Sequence, residues 1–199
     1  MLDFPKKKIS MIFGPAATGK TTLCMQLSLK AAENKKVLFV DTEGGFSTDR
    51  LKQMKPDFEK ELANILVYRA KNFDEQVNFL NNIEEITKNG DFGLIIIDTI
   101  GMQYRKALQD GDYGEVNKRL LLNLRKLTHV AEDLDIPIIM TNQVYSNMEG
   151  EQKYLGGKMV LGFAKFLVEL KKEPRKVVIL KPEEKILKFK IEDSGLVFG

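Results

Sequence analysis

The sequence predicts an α/β protein with a mostly parallel central sheet, helices on both faces of that sheet and antiparallel strands at its C-terminal edge. Short apolar runs without polar alternation indicate strands that are buried on both sides. Amphipathic segments of helical period separate these runs, as expected when helices form the crossovers of a parallel sheet. Over residues 151–199 the pattern changes to short strands between Lys, Pro and Glu clusters, which predicts the antiparallel edge.

Each predicted strand of the parallel part is a short apolar run that ends in turn residues or leads into a helix. These runs cover residues 9–14, 36–45 (including a Gly-Gly turn), 64–70, 93–99 and 136–143. The predicted antiparallel strands are FLVEL, KVVIL and ILKFKI, at 166–170, 176–180 and 186–191.

The predicted helices lie between these strands and carry apolar residues at helical spacing. Leu23, Leu27 and Ala31 form the apolar face of the first helix, and Gly90 ends the third as a C-cap residue. The predicted helices cover residues 20–33, 48–62, 74–90 and 115–134.

Composition indicates a single soluble domain over residues 1–199, with 43% apolar and 30% charged residues and no apolar run long enough to cross a membrane. One cysteine, Cys24, and one histidine, His129, argue against cysteine-rich metal sites and histidine-based metal catalysis. The single cysteine is also compatible with a reducing cytoplasm.

Residues 151–199 carry 11 Lys/Arg against 7 Asp/Glu, so they are the basic part of a chain of net charge +3. Either a solvated strand face or a surface for phosphate backbones explains this excess.

A phosphate-binding loop is the strongest motif, because Gly14, Gly19, Lys20 and Thr21 fit the pattern G-x-x-x-x-G-K-[ST] between a strand and a helix. Glycines let backbone N–H groups surround an anion, and the helix N-terminus adds its positive dipole end. Lys20 is expected to reach the β- and γ-phosphates, and Thr21 to bind Mg²⁺. Thr22 is expected near the α-phosphate. The predicted nucleotide-binding loop consists of Gly14, Pro15, Ala16, Ala17, Thr18, Gly19, Lys20, Thr21 and Thr22.

Acidic residues end two other predicted strands. Asp98 closes the apolar run LIIIDT at a carboxyl end, where ligands bind in open α/β sheets, and is expected to hold Mg²⁺. Asp41 and Glu43 end the strand in VDTEGGF, where a carboxylate could polarise the attacking water. The residue types alone do not choose between Asp41 and Glu43.

Four motifs together resemble the RecA/RadA recombinase superfamily and, within it, the short archaeal RadB family, over nearly the whole chain. They are GPAATGKTTL, VDTEGGF followed by Asp49-Arg50, LIIIDT and TNQV, in the family's order. The resemblance implies a RecA-like P-loop NTPase core without the N-terminal helix-hairpin-helix domain of full recombinases. It also implies that Glu43 orients water as the catalytic glutamate and that Arg50 stacks on adenine. Gln143 is implied to sense the γ-phosphate, so that Lys20, Glu43 and Gln143 form the implied catalytic set.

The resemblance further implies two DNA-facing segments, 103–115 and 145–158, the second closed by the glycine pair Gly156 and Gly157. Four of the five tyrosines lie in these segments with nearby cations, which is typical of a stacking platform for unpaired bases. The candidate DNA-binding residues are Tyr104, Arg105, Lys106, Tyr145, Lys153, Tyr154 and Lys158.

The expected function is therefore a weak DNA-dependent ATPase that uses ATP and Mg²⁺, binds single-stranded DNA and acts in recombinational repair, in the cytoplasm at the nucleoid. The expected partners are single-stranded DNA and a full-length recombinase or other repair proteins. The 13 residues before Gly14 offer no phenylalanine-containing hook of the recombinase type, so self-association is allowed but filament formation is not predicted. A KaiC-like regulatory ATPase that acts on proteins remains the alternative. A small-molecule kinase is disfavoured because an arginine-rich lid is missing.

Overall fold

The computed structural model describes residues 2–146, 152–154 and 157–199, without the side chains of residues 110, 145, 146, 152–154 and 158. The strands in these described ranges are β1 Ile9–Gly14, β2 Lys36–Asp41, β3 Ile65–Arg69, β4 Phe92–Asp98, β5 Ile138–Ser146, β6 Gln152–Tyr154, β7 Ala164–Lys172, β8 Arg175–Lys181, β9 Lys185–Glu192 and β10 Gly195–Phe198. The helices are α1 Lys20–Ala32, α2 Thr48–Met54, α3 Glu59–Leu62, α4 Phe73–Asn81, α5 Ile83–Thr87, α6 Met102–Asp110, α7 Tyr113–Asp133 and α8 Gly157–Phe163.

The strands form one sheet in the order β10-β9-β8-β7-β1-β5-β4-β2-β3, with β6 paired to β5 beside this path. Pairing is parallel from β7 through β1, β5, β4 and β2 to β3, and antiparallel from β7 through β8 and β9 to β10. The predicted fold class is confirmed. One detail differs, because β7 pairs in parallel with β1 and only its other edge is antiparallel.

Two apolar layers cover the sheet, one on each face, because successive strand residues point to opposite sides. Met11 and Phe13 of β1 join the layer formed with α4 and α7, whereas Ile12 joins the layer formed with α1. All three side chains are fully buried. This double coverage explains why the central strands are apolar without alternation.

Two predicted helices are each divided in the structure. The predicted helix at 48–62 is divided into α2 and α3, and α2 ends where it does because Pro56 follows Lys55. The backbone of Lys55 is extended (φ −147°, ψ 102°), as proline requires of its predecessor. The predicted helix at 74–90 is divided at Asn82 into α4 and α5. Within the described ranges, none of the helices combines the length and apolar character needed to cross a bilayer.

Parallel pairing places the carboxyl ends of β1, β2, β4 and β5 at one edge of the sheet. The register aligns Asp41 with Asp98 across β2 and β4, and Gly14 with Gln143 across β1 and β5. Residues that are far apart in the sequence therefore meet at this edge.

Candidate active site

The segment from Gly14 to Lys20 turns from β1 into α1 at the carboxyl edge of the sheet. Gly14 and Gly19 have φ values of 151° and 101°, and Ala17 has a φ of 60°, a left-handed conformation that is uncommon for alanine. Gly19 precedes the helix without a capping side chain, so the first N–H groups of α1 are available to an anion. This is the geometry that a phosphate-binding loop requires.

Lys20 is buried beneath this loop. Its Nζ donates to the carbonyl oxygens of Gly14 and Pro15, each at 2.8 Å. An ammonium group has three protons, so these bonds hold the side chain in the loop and leave one donor for a ligand. Burial lowers the pKa of Lys20, and the nearby carboxylates of Asp98 and Glu43 oppose that effect.

Asp98 is buried at the end of β4, where its Oδ1 accepts a hydrogen bond from Thr141 Oγ1. The Thr21 side chain is also hydrogen-bonded to Asp98, while burial raises the pKa of this carboxyl group. One carboxylate and one hydroxyl beside an anion cradle fit Mg²⁺, which prefers oxygen ligands and keeps several waters and substrate phosphate oxygens in its shell. No group of three His, Cys, Asp or Glu arranged for metal binding is found among the described residues.

Asp41 and Glu43 have different surroundings. Asp41 Oδ1 accepts hydrogen bonds from the backbone N–H groups of Glu43, Gly44 and Gly45, and its Oδ2 accepts one from Phe46, at 2.7–3.2 Å. Asp41 is only 1% exposed. Its oxygens are therefore committed to the turn, and Glu43 is the carboxylate that faces the site.

Glu43 meets Gln143 across the carboxyl edge of the sheet. Gln143 Nε2 lies 3.0 Å from both carboxylate oxygens of Glu43, and Thr99 Oγ1 donates to Glu43 Oε1, also at 3.0 Å. Thr99 is anchored in turn by Thr42, whose Oγ1 donates to the Thr99 carbonyl and accepts from the Thr99 N–H. The structure thus brings together two of the three predicted catalytic residues through side chains 100 positions apart.

These groups line one open cavity of 250 Å³. Its lining residues are Ala16, Ala17, Gly19, Lys20, Thr21, Thr22, Glu43, Asp98, Thr99 and Gln143. Lys20, Glu43 and Gln143, predicted from separate motifs, therefore share one cavity with Thr21 and Asp98. Their roles in nucleotide and metal binding remain predictions.

Arg50 lies outside this lining. Its Nη1 donates to Gln53 Oε1 at 2.8 Å and its Nη2 donates to the carbonyl oxygen of Glu192 at 2.7 Å. The guanidinium group therefore connects α2 to the end of β9. Its predicted stacking on adenine stays a prediction.

The first predicted DNA-facing loop, 103–115, is instead mostly helical, comprising α6 and the start of α7. Tyr104 is only 6% exposed, packs edge-on against Phe73 and donates to Asn117 Oδ1 at 2.6 Å. Its predicted stacking on DNA bases is therefore wrong for this arrangement, because its ring belongs to the core. Arg105 and Lys106 are exposed on α6.

The second predicted DNA-facing segment, 145–158, is described only in part. The β5–β6 hairpin pairs Tyr145 with Lys153 and Val144 with Tyr154. The side chains of Tyr145, Lys153, Tyr154 and Lys158 lie outside the described part of the chain, as does Gly156. Gly157 begins α8 with a φ of 55°.

The model of the Rad51 family matches residues 3–184 of this chain. The chain belongs to the Rad51 family. This Rad51-family chain is 35% identical over 204 residues to the DNA repair and recombination protein RadB of Methanococcus maripaludis, covering 98% of the chain and 93% of the relative. It is 32% identical over 203 residues to RadB of Methanosphaera stadtmanae, covering 95% and 87%.

A crystal structure of the RadB recombinase has a similar fold, with a TM-score of 0.79 and 28% identity over 97% of this chain and 91% of that one. The predicted membership of the RecA/RadA superfamily and the similarity to archaeal RadB are confirmed. The chain is therefore a homologue of Rad51-family P-loop ATPases within the RadB group of DNA repair and recombination proteins.

The structure reveals three supporting residues, of which two, Thr99 and Thr141, lie in sequence motifs and one, Arg175, lies outside them. Thr99 follows Asp98 in LIIIDT and orients Glu43. Thr141 begins TNQV and orients Asp98. Arg175, the first residue of β8, donates to the carbonyl oxygen of Ala17 at 3.5 Å. Hydroxyl residues beside motif carboxylates could have been predicted as orienting groups, but nothing in the sequence connects Arg175 with the loop.

Proposed function

We propose that this chain is a single RecA-like domain that binds Mg·ATP and single-stranded DNA and hydrolyses ATP slowly, as an accessory to a full recombinase in DNA repair. The observation that carries the proposal is the contact of Glu43 with Gln143 in the cavity that also contains Lys20, Thr21 and Asp98. The family membership supports the association with DNA repair.

In this proposal, the N–H groups of the loop and α1 hold the phosphates. The remaining N–H of Lys20 donates to a phosphate oxygen, and the positive charge of the ammonium group offsets phosphate charge. Thr21 and Asp98 would hold Mg²⁺, which when bound would supply positive charge to offset the charge of the phosphates. Glu43 accepts a hydrogen bond from the attacking water and orients it, since Thr99 and Gln143 fix the carboxylate.

In the same proposal, Gln143 couples the nucleotide to DNA. It bonds to Glu43 and lies on β5, which continues directly into the β5–β6 hairpin of the second predicted DNA segment. A change in the hydrogen bonds of Gln143 when the γ-phosphate is present or absent would therefore be transmitted along one strand. Among the described residues no arginine lines the cavity, so we expect slow turnover without a further cation.

The test measures ATP turnover and mant-ATP binding by the parent chain and by Lys20→Ala, each with and without oligo-dT. We expect oligo-dT to stimulate parent turnover, with binding to the DNA weakening as salt rises. Lys20→Ala should lose ATP affinity by at least roughly tenfold, because a charge-assisted contact is removed.

Normal ATP binding by Lys20→Ala would contradict the assignment of the phosphate site. Turnover and ATP affinity that do not respond to oligo-dT, together with no salt-sensitive DNA binding, would contradict the DNA-linked function. That second result would favour a regulatory ATPase that acts on proteins.

A further inference from the structure

The C-terminal antiparallel strands touch the phosphate loop at several points. β7 runs parallel to β1 with Phe13 opposite Glu169, so the ends of both strands lie at the same edge of the sheet. The backbone of Leu170 on β7 lies against Gly14, where an added Cβ would approach the Leu170 carbonyl oxygen to 2.3 Å. The end of β7 therefore packs directly against Gly14, the first residue of the phosphate loop.

The turn between β7 and β8 leads to a second contact with the phosphate loop, at Ala17, which we call the tip of the loop. β8 returns antiparallel to β7 with Lys172 opposite Arg175, so Arg175 is the first residue of β8 after the turn. Its Nη1 lies 3.5 Å from the carbonyl oxygen of Ala17. No carboxylate forms an ion pair with Arg175 among the residues described, so the Ala17 carbonyl is the partner that the structure shows for this guanidinium group.

Ala17 is the residue of the loop that most needs external support. Its φ of 60° is left-handed, a conformation that alanine disfavours and that persists where the surroundings impose it. Thr18 Oγ1 bonds to Pro15 and Lys20 bonds to Gly14 and Pro15, so the side-chain bonds from within the loop go to its first two residues. Arg175 supplies a hydrogen bond at the tip.

We propose that Arg175 is a positioning residue of the nucleotide site, holding the tip of the phosphate loop in its binding conformation from the outer side. It acts through the Ala17 carbonyl and does not contact the γ-phosphate. The inference rests on the proposed ATP binding and adds to it a residue outside the four sequence motifs. Because Arg175 acts on the loop, losing its contact should lower the affinity for every nucleotide whose β-phosphate binds there, ADP as well as ATP.

The experiment compares Arg175→Ala and Arg175→Lys with Lys176→Ala, using mant-ADP and mant-ATP affinities, turnover and thermal unfolding of the full chain without nucleotide. Lys176 is the matched control because it is the next cation on β8 and points to the other side of the strand. Arg175→Ala should weaken binding of both nucleotides by the same factor, roughly threefold to tenfold. At saturating ATP, kcat should stay within about twofold, because the contact is uniform between ground and transition states.

Arg175→Lys should recover part of the affinity, since a cation remains but the planar fork is lost. Lys176→Ala should bind both nucleotides like the parent, and the unfolding temperature without nucleotide should be the same for Arg175→Ala and Lys176→Ala within error. Unchanged affinity in Arg175→Ala would overturn the inference, as would an effect confined to ATP or to kcat, which indicates direct γ-phosphate contact. If the parent itself binds no nucleotide, the proposed function fails instead, and the Lys20→Ala comparison identifies that case.

Discussion

Asp41 and Glu43 show how the surroundings of a residue decide its chemistry. Asp41 accepts four backbone hydrogen bonds and lies near Arg69, with 3.5 Å between Asp41 Oδ2 and Arg69 Nη2. It therefore organises the turn after β2. Glu43 is fixed by two side chains, Thr99 and Gln143, and remains directed into the cavity. Two identical functional groups two residues apart are thus expected to have separate roles.

We predict that Glu43→Gln keeps ATP affinity within about threefold but lowers kcat by roughly 10²-fold or more, because an amide cannot orient and polarise water as a carboxylate does. Steady-state ATP turnover and mant-ATP binding measure the two effects. Asp41→Asn is the matched control: it should destabilise the turn and weaken nucleotide binding. Loss of kcat in Asp41→Asn with normal turnover in Glu43→Gln would reverse the assignment.

At the scale of elements, the phosphate loop is enclosed by the C-terminal strands as well as by β1 and α1. Gly19 lies against Ile191 of β9 and Leu196 of β10. Gln26 of α1 bonds to both backbone groups of Leu196, at 3.2 and 3.0 Å. The β9–β10 hairpin is therefore attached to the helix that follows the loop, and the antiparallel edge of the sheet is a structural part of the candidate nucleotide site.

Gly14→Ala tests this enclosure. The new methyl group would meet a backbone oxygen at 2.3 Å, and φ at this position is 151°. We expect unfolding free energy to fall by about 2–3 kcal/mol, measured by denaturant titration, with loss of ATP binding. Gly162→Ala in α8 is the control, since nothing lies within 4 Å of its added Cβ. It should be neutral or stabilise the protein by up to about 1 kcal/mol; a similar loss in both variants would contradict the explanation.

At the scale of the whole molecule, the candidate cavity collects residues from several separate segments of the chain. Its lining residues come from the loop and helix start after β1, the turn after β2, the end of β4 and Gln143 within β5. Residues of β7 to β10 pack against the loop from the other side. Two apolar layers on opposite faces hold these strands in register. A ligand that binds this edge of the folded chain and does not bind the unfolded chain raises global stability by mass action.

Mg·ATP at about 100 times its Kd should therefore raise the unfolding temperature by roughly 5–10 °C, since such binding is worth about 2.7 kcal/mol. Differential scanning fluorimetry with and without Mg²⁺ measures this shift. Asp98→Asn should lose the Mg²⁺-dependent part of the shift in unfolding temperature. Its unfolding temperature without ligand should equal or exceed that of the parent, because burial raises the pKa of Asp98 and disfavours its charged form. A full Mg²⁺-dependent shift in Asp98→Asn would exclude Asp98 as the metal-binding carboxylate.

The sequence by itself determined the fold class and the phosphate loop. Both depend on local patterns. The fold class follows from apolar strands without alternation, and the loop follows from the run Gly14 to Thr21, which contains the glycines, the lysine charge and the threonine hydroxyl in one short segment. The family resemblance carried the choice of Glu43 over Asp41, which chemistry and spacing alone left open. Helix breaks at Pro56 and Asn82 needed the structure to show where each helix ends.

Only the tertiary structure decided which residues of different strands touch. Strand order and register bring Gln143 to Glu43, Thr141 to Asp98 and Arg175 to Ala17, across separations that no sequence period encodes. The same packing removes Tyr104 from the surface, because helical spacing with Ala107 and Leu108 directs its ring into the core. Local geometry follows from the chain's own backbone and side chains, whereas contacts between distant segments depend on how the sheet aligns them.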